Sequence, residues 1–308
     1  MIYNILVMFM ENYFKDCTLC PRMCHIDRTK HNGVCGVKDK MIVARASLHM
    51  WEEPCISGDN GSGTIFFSGC NLKCIFCQNY EISTKNIGKE ISIEDFATIC
   101  LNLEKEGANN INLVTPTMYV PLIVEGIKLA RSKGLKIPIV YNTSGYETVD
   151  TIKMLDGVVD IYLPDFKYYD DEYGKMYSNV ENYFLYASKA LEEMYKQVGK
   201  PKFNKNGIMT KGMIVRHLCL PGLSNDSKKI INYLYNTYHD NIYISIMNQY
   251  TPLREFKYSN LNNKLSDSEY DDIINYAVDL GIKKAFIQEG ETCSESFIPD
   301  FLNQNLPL

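Results

Sequence analysis

Residues 66–80 read FFSGCNLKCIFCQNY and place Cys70, Cys74 and Cys77 within eight residues of one another. They follow an apolar run, 63–69, which reads as a buried strand handing over to a loop. The loop supplies no fourth thiol, and that gap governs the reading. A cubane 4Fe-4S cluster takes four ligands, and soft thiolates suit iron and its sulfides. Three protein ligands leave one iron open to bind and activate another molecule. A structural zinc site fits less well, because it wants a closed tetrahedral set, commonly from two C-x2-C knuckles. Buried free thiols are the remaining plain reading.

Outward from this loop the chain alternates strand and helix. Strand signals fall at 63–69, 110–115, 137–144, 159–167, 213–220 and 241–250, with 283–289 as a candidate seventh. Ser92 with Asp95, and Ser266 with Glu269, are spaced to cap two helices that stop at Gly107 and Gly281. Between them, VPLIVEGIKLARSKG carries apolar residues at helical spacing and ends at Gly134. Residues 168–200 are long for one crossover, and the apolar spacing after Asn182 predicts a long amphipathic helix, mostly core-facing, with a face that a protein substrate could touch. Near-continuous apolar strands alternating with helices imply an α/β fold with a parallel, helix-covered sheet. Periodicity leaves a partial barrel and a doubly wound sheet both open, and in either one ligands bind at the carboxyl ends of the strands.

At those ends stand Thr115-Pro116-Thr117, Asn142-Thr143-Ser144-Gly145, Asp165-Phe166-Lys167, Val215-Arg216-His217 and Asn248-Gln249-Tyr250. Singly, each charge there is more often a cap or a solvated group. Their convergence on one rim with the cysteine loop is what favours a functional site.

Composition bounds the function. The 308 residues are 45% hydrophobic and 22% charged, which predicts a sizeable globular core rather than disorder. The net charge of -5, with no long Lys/Arg block, disfavours generic nucleic-acid binding. Eleven cysteines without a visible export signal point to a reducing cytoplasm and to metal binding rather than disulfides. The opening MIYNILVMFMENYF lacks a basic flank and is too short to span a bilayer, so no membrane partner is expected. It reads as a packed helix, or as an over-long start with Met8 or Met10 as the initiator. The 22 Tyr and 13 Phe could line a dry barrel, though packing is their commoner use.

The turn signal GDNGSG, 58–63, divides the chain into a cysteine-rich N-terminal metal-binding region, 1–60, a core, 61–290, and a C-terminal tail, 291–308. In the first region Cys17, Cys20, Cys24 and Cys35 form a four-thiol set, enough to close a zinc site or to hold a second 4Fe-4S cluster. His25 or His31 could replace one ligand. Cys55, Cys100, Cys219 and Cys293 read as small buried hydrophobes.

The spacing C-x3-C-x2-C, with Phe76 before the last cysteine, resembles the signature of radical S-adenosylmethionine enzymes. The further series YNTSG, LPDFK and IVRHLCLPGLSND resembles pyruvate formate-lyase activating enzyme and other glycyl-radical-enzyme activases. An uncharacterised group of related iron-sulfur proteins is similar from about Cys17 to Gln288. The resemblance implies a partial (βα)6 TIM-like barrel with a cysteine-rich N-terminal extension. It implies a 4Fe-4S cluster on Cys70, Cys74 and Cys77, whose open iron is chelated by S-adenosyl-L-methionine. One electron from an external donor such as flavodoxin or ferredoxin then cleaves that cofactor to a 5′-deoxyadenosyl radical, which abstracts hydrogen from a substrate, with no side chain acting as acid or base.

Carried over position by position, Asn142 and Thr143 match the Asp-Thr of the activases' D-T-N-G stretch, and Asp165 and Lys167 their D-L-K motif. Arg216 matches an arginine facing the cofactor. In the family, these residues lie near S-adenosylmethionine and, in the activating enzyme, a monovalent cation. The G-G-E-P element appears here as Val114-Thr115-Pro116-Thr117, without the acid, and Asn142 stands where the family has a carboxylate. Thr115 and Thr117 are the cofactor-binding candidates of that element. The substrate implied first is a glycine Cα in a partner glycyl radical enzyme. The alternatives are RNA, a peptide or a small metabolite, and a non-enzymatic electron-transfer or metal-binding role.

Overall fold

The computed structural model describes residues 12–288, 301 and 306–308. The expected helix at the extreme N-terminus, Cys293 and most of the tail from 291 lie outside the described residues or at their margin.

Seven strands run parallel in the order β10 (Ala285–Ile287), β9 (Tyr243–Met247), β8 (Met209–Leu218), β6 (Ile161–Pro164), β5 (Ile139–Thr143), β4 (Ile111–Val114) and β2 (Ser62–Phe67). The six strands read from sequence are all there, and 283–289 supplies the seventh. The sheet continues past β2 into two antiparallel strands, β1 (Met41–His49) and β3 (Lys89–Ile91). A two-residue strand, β7 (Lys202–Phe203), pairs with the start of β8. Helices follow the parallel strands, and the order stays open, with β3 and β10 at its two ends among the described residues. This is an α/β partial barrel.

The main core lies between the sheet and its helices, with Leu113, Tyr141 and Tyr162 from the strands against Ile123, Ile127 and Leu191 from the helices. Capping sets the helix starts. Ser92 accepts from Asp95 N and Asp95 from Ser92 N at the head of Ile93–Lys105, and Ser266 with Glu269 repeats the arrangement before Asp267–Asp279. The amphipathic helix expected after Asn182 is Tyr183–Val198, preceded by the shorter helix Asp171–Ser178.

Residues 41–55, to which the sequence reading gave no strand, hold β1, and the expected division near residue 60 therefore falls between β1 and its antiparallel partner β2. Its alternation is hard to read because Val43 and Ala44 are both buried, so neither face is polar throughout. After β1 the chain turns along the inner face of the sheet. His49, Met50, Trp51 and Glu52 line the cavity at one end, and Cys55 and Ile56 pack on Val140, Ile161, Leu163 and Ile214 towards the other.

Gly145 shows why the third strand end needs its glycine. Its φ is +75°, and a Cβ there would collide with the Asp165 carbonyl oxygen. Gly145→Ala is therefore expected to lose more than about 1 kcal/mol of stability, read as a lower thermal midpoint. An unchanged midpoint would show that the two strand ends need not approach so closely.

Candidate active site

The carboxyl ends of the parallel strands open into a cavity of about 490 Å³, a size common to small-molecule sites. Cys70, Cys74 and Cys77 line it together with Thr115, Asn142, Thr143, Asp165, Lys167 and Arg216. Thr117 does not. It is buried beneath, its hydroxyl donating to Glu147 Oε1 at 2.6 Å, because Thr117 already belongs to the 3-10 turn that follows the strand end.

An ion-pair network forms one wall. Arg216 Nε donates to Asp165 Oδ1 at 2.9 Å, Nη1 to Glu52 Oε2 at 3.1 Å and Nη2 to Asn142 Oδ1 at 2.6 Å. Lys167 Nζ takes the other Asp165 oxygen at 2.8 Å, and Asn112 donates to Glu52 Oε1 at 2.8 Å. Burial alone would raise the Asp165 carboxyl, but Lys167 and Arg216 outweigh it and hold the group below its ordinary value. For Glu52 burial wins over Arg216, and its carboxyl is raised. The Asn142 oxygen, at the position where the resemblance puts a carboxylate near a cation, is engaged by a guanidinium.

Of the three thiols Cys70 is buried, and Cys74 and Cys77 are half-buried. Burial pushes Cys70 up to about 12 and raises Cys77 as well, each reinforced by its neighbouring cysteines. Lys167 and the Ser83 hydroxyl act in the opposite sense on Cys77. Cys70 and Cys77 therefore ionise as metal binds, releasing protons. Thr115, just past β4, has φ +59°, a left-handed conformation costly for a β-branched residue and natural to the glycines of the family's G-G-E-P element.

Sequence reasoning missed Glu52 and Glu147, and it placed Ser144 at a strand end without assigning it a role. Glu52 reaches the site from an N-terminal segment no local pattern ties to it. Ser144 lines the cavity with a buried hydroxyl that has no hydrogen-bond partner. Glu147 is fully buried and accepts on Oε1 from Thr117, Tyr141 and Thr143, while Oε2 has no hydrogen-bond partner. Burial, against those three hydroxyls, pushes its carboxyl up to about 7.

The four N-terminal cysteines lie near one another. Burial raises Cys35, with Cys17 and Cys24 adding to it, and pushes Cys20 up to about 12, with Cys35 and Cys17 adding. Cys70 N donates to the Cys35 carbonyl at 3.2 Å, so this set abuts the cavity loop. Among the described residues, no three His, Cys, Asp or Glu side chains are gathered tightly enough to hold a single ion. A four-iron cluster is itself several ångströms across, and the thiolates that bind it stand further apart than ligands of one ion. All ten described cysteines are free, and Cys55, Cys100 and Cys219 are buried. Among the described residues, no helix is long and apolar enough to cross a membrane.

An open parallel barrel that brings three thiols and an ion-paired rim to one cavity defines an α/β-barrel protein equipped to hold a metal cluster. The radical SAM superfamily model matches residues 64–234, and the chain belongs to that superfamily. An uncharacterized protein of Methanocaldococcus jannaschii is 31% identical over 287 residues, 90% of this chain and 78% of the relative. Among solved structures, HydG, a hydrogenase maturase, superposes with a TM-score of 0.50 at 17% identity, over 74% of this chain and 52% of that one. A domain of pyruvate-formate lyase-activating enzyme from Bacteroides vulgatus gives 0.42 at 15%, over 56% and 94%. Membership makes the protein an enzyme of radical chemistry, and the family implies a 4Fe-4S cluster and S-adenosylmethionine. The residues present fit both groups: three clustered thiols beside a lysine, and an unpartnered buried hydroxyl, Ser144, on the wall.

Glu147 generates a pH prediction. Its carboxyl titrates near 7 when folded against 4.5 as the reference, so the folded state binds the proton more tightly. Stability from this group is present below about 4.5 and is lost as pH rises towards 7, by up to about 3 kcal/mol. Glu147→Gln is expected to gain on the wild type by that order between pH 5 and pH 8 in paired thermal melts. A constant difference across that range would mean that the carboxyl is not shifted.

Proposed function

We propose that the protein is a cytoplasmic glycyl-radical-enzyme activase working under anaerobic conditions. Cys70, Cys74 and Cys77 hold the 4Fe-4S cluster, and Thr115, Asn142, Thr143, Asp165, Lys167 and Arg216 position S-adenosylmethionine. The bound groups supply reductive cleavage of S-adenosylmethionine, with the electron drawn from flavodoxin or ferredoxin. The observation that carries the reading is the meeting of the three thiols with the strand-end residues of YNTSG, LPDFK and VRH in one cavity. Asp165 and Arg216 fix each other, so their remaining polar edges face the cavity already oriented. Lys167, beside the thiols, offsets the negative charge that thiolates bring. At the mouth, Met50 and the 63% exposed Trp51 offer apolar surface of the kind a protein substrate covers. The N-terminal cysteines form a second metal centre against the same loop, either a 4Fe-4S cluster, whose ligands stand well apart, or zinc, for which the thiols would have to draw closer together than they are here.

Anaerobically reconstituted protein given dithionite and S-adenosylmethionine should release 5′-deoxyadenosine, and Cys74→Ala should abolish it; undiminished release from that variant would remove Cys74 from the site. Iron and zinc analysis of a variant lacking Cys70, Cys74 and Cys77 decides the N-terminal metal. Retained iron identifies a second cluster, zinc alone a structural centre, and neither metal rules the centre out. The activase reading predicts a glycyl-radical doublet in the EPR spectrum of a co-incubated partner enzyme, and its absence across candidate partners would favour a peptide, RNA or small-molecule substrate.

A further inference from the structure

The cysteine loop leans on the C-terminal end of the helix Asp171–Ser178. That helix closes on Asn179 in the left-handed region, and Ile75 N donates to the Tyr177 carbonyl at 2.8 Å. Arg22, from the cysteine-rich segment, ties the two together. Its Nε and Nη2 donate to the loop carbonyls of Asn71 and Leu72 at 2.8 and 3.2 Å, while Nη1 and Nη2 reach those of Asn179 and Ser178 at 2.5 and 3.1 Å. The helix end is therefore fixed relative to the loop, and Ser178 is pinned at its own main chain.

The Ser178 side chain points at a loop sulfur. Its Oγ lies 3.0 Å from Cys74 Sγ and 2.7 Å from the Tyr168 hydroxyl, and both Ser178 and Tyr168 are fully buried. A metal-bound thiolate can only accept, so Ser178 must donate to the sulfur and Tyr168 must in turn donate to Ser178. The chain Tyr168 to Ser178 to Cys74 then has one direction. The contacts to the other two sulfurs are longer, 3.3 Å from Leu72 N to Cys70 and 3.5 Å from the Ser83 hydroxyl to Cys77.

We propose that Ser178 is a positioning residue of the cluster, whose hydroxyl, oriented by Tyr168, donates to the Cys74 sulfur and raises the cluster's reduction potential. The inference rests on the assignment of Cys74 as a ligand made above. A hydrogen bond to a ligating sulfur draws electron density from it and favours the reduced, more negative cluster over the oxidised one. A second hydroxyl behind the donor strengthens the effect by polarising it. Nothing in the three-cysteine motif encodes this contact, since Ser178 lies 104 residues beyond Cys74.

The test is an EPR-monitored redox titration of the full chain, reconstituted anaerobically, with iron content measured on each sample. Ser178→Ala is expected to keep its iron and to shift the midpoint to more negative potential. Ser178→Thr, which retains a hydroxyl, should restore the wild-type midpoint, and Tyr168→Phe should shift it in the same direction by less. A merely structural serine would leave the midpoint of iron-replete protein where it was, and that result in Ser178→Ala overturns the inference. If Ser178→Ala fails to load iron, Tyr168→Phe decides: an iron-replete sample with the wild-type midpoint overturns it equally. Failure of the ligand assignment looks different, because Cys74→Ala would then keep the wild-type cluster signal.

Discussion

Arg216 holds the top of the barrel together. Its guanidinium reaches Asp165 beyond β6, Asn142 on β5 and Glu52 from the segment after β1, while its own main chain accepts from Phe166 N at 2.7 Å and pairs with Asp165 as a bridge. Taking such a cation out of water costs several kcal/mol, and the cost is offset only when every donor finds a matched acceptor. A planar fork with donors in fixed directions holds three acceptors on three elements at set angles, a geometry that the rotatable donors of a lysine ammonium do not impose. The spacing of the strand ends, and with it the shape of the cavity, follows from that fit.

Beneath this charged layer lies a neutral polar one. His217, the neighbour of Arg216, donates from Nδ1 to the Phe166 carbonyl and accepts on Nε2 from the Ser227 hydroxyl, both at 2.8 Å. Burial lowers its pKa to about 4, so the ring stays neutral. Glu147 accepts from three hydroxyls on Oε1 alone, one of them that of Thr143 on the cavity wall, and its Oε2 has no hydrogen-bond partner. The strand ends that face the cavity are thus held from behind by buried polar groups, His217 through both ring nitrogens and Glu147 through one carboxyl oxygen, an arrangement that keeps binding geometry rigid.

The fold was legible where local chemistry decides. The capping pairs at Ser92 and Ser266 and the apolar runs of the parallel strands each carry their signal within a few residues, and the three thiols share one loop. What stayed hidden depends on distance along the chain. The strand β1 was missed because burial on both faces erases alternation, and Glu52 because its partners Asn112, Asn142 and Arg216 lie 60, 90 and 164 residues away. Thr117 was grouped with Thr115 by adjacency. Yet the turn after β4 sends only Thr115 to the cavity, and in a strained conformation that residue type does not announce. Singly ambiguous residues such as Asp165 and Lys167 became interpretable through the motif order they share with a family, not through any pattern of their own.

The strand at one end of the open sheet bears on how this protein meets others of its kind. An unpaired strand edge is a template for sheet extension between molecules. Here β3 contributes three residues, two of them the exposed Lys89 and Glu90, and Glu90 is 3.6 Å from Lys40 on the chain leading into β1. A strand adding at this edge would gain a short ladder and would have to accommodate two charges directly opposite. Self-association through the sheet is therefore discouraged at that end, which leaves any sheet-to-sheet pairing to the opposite edge.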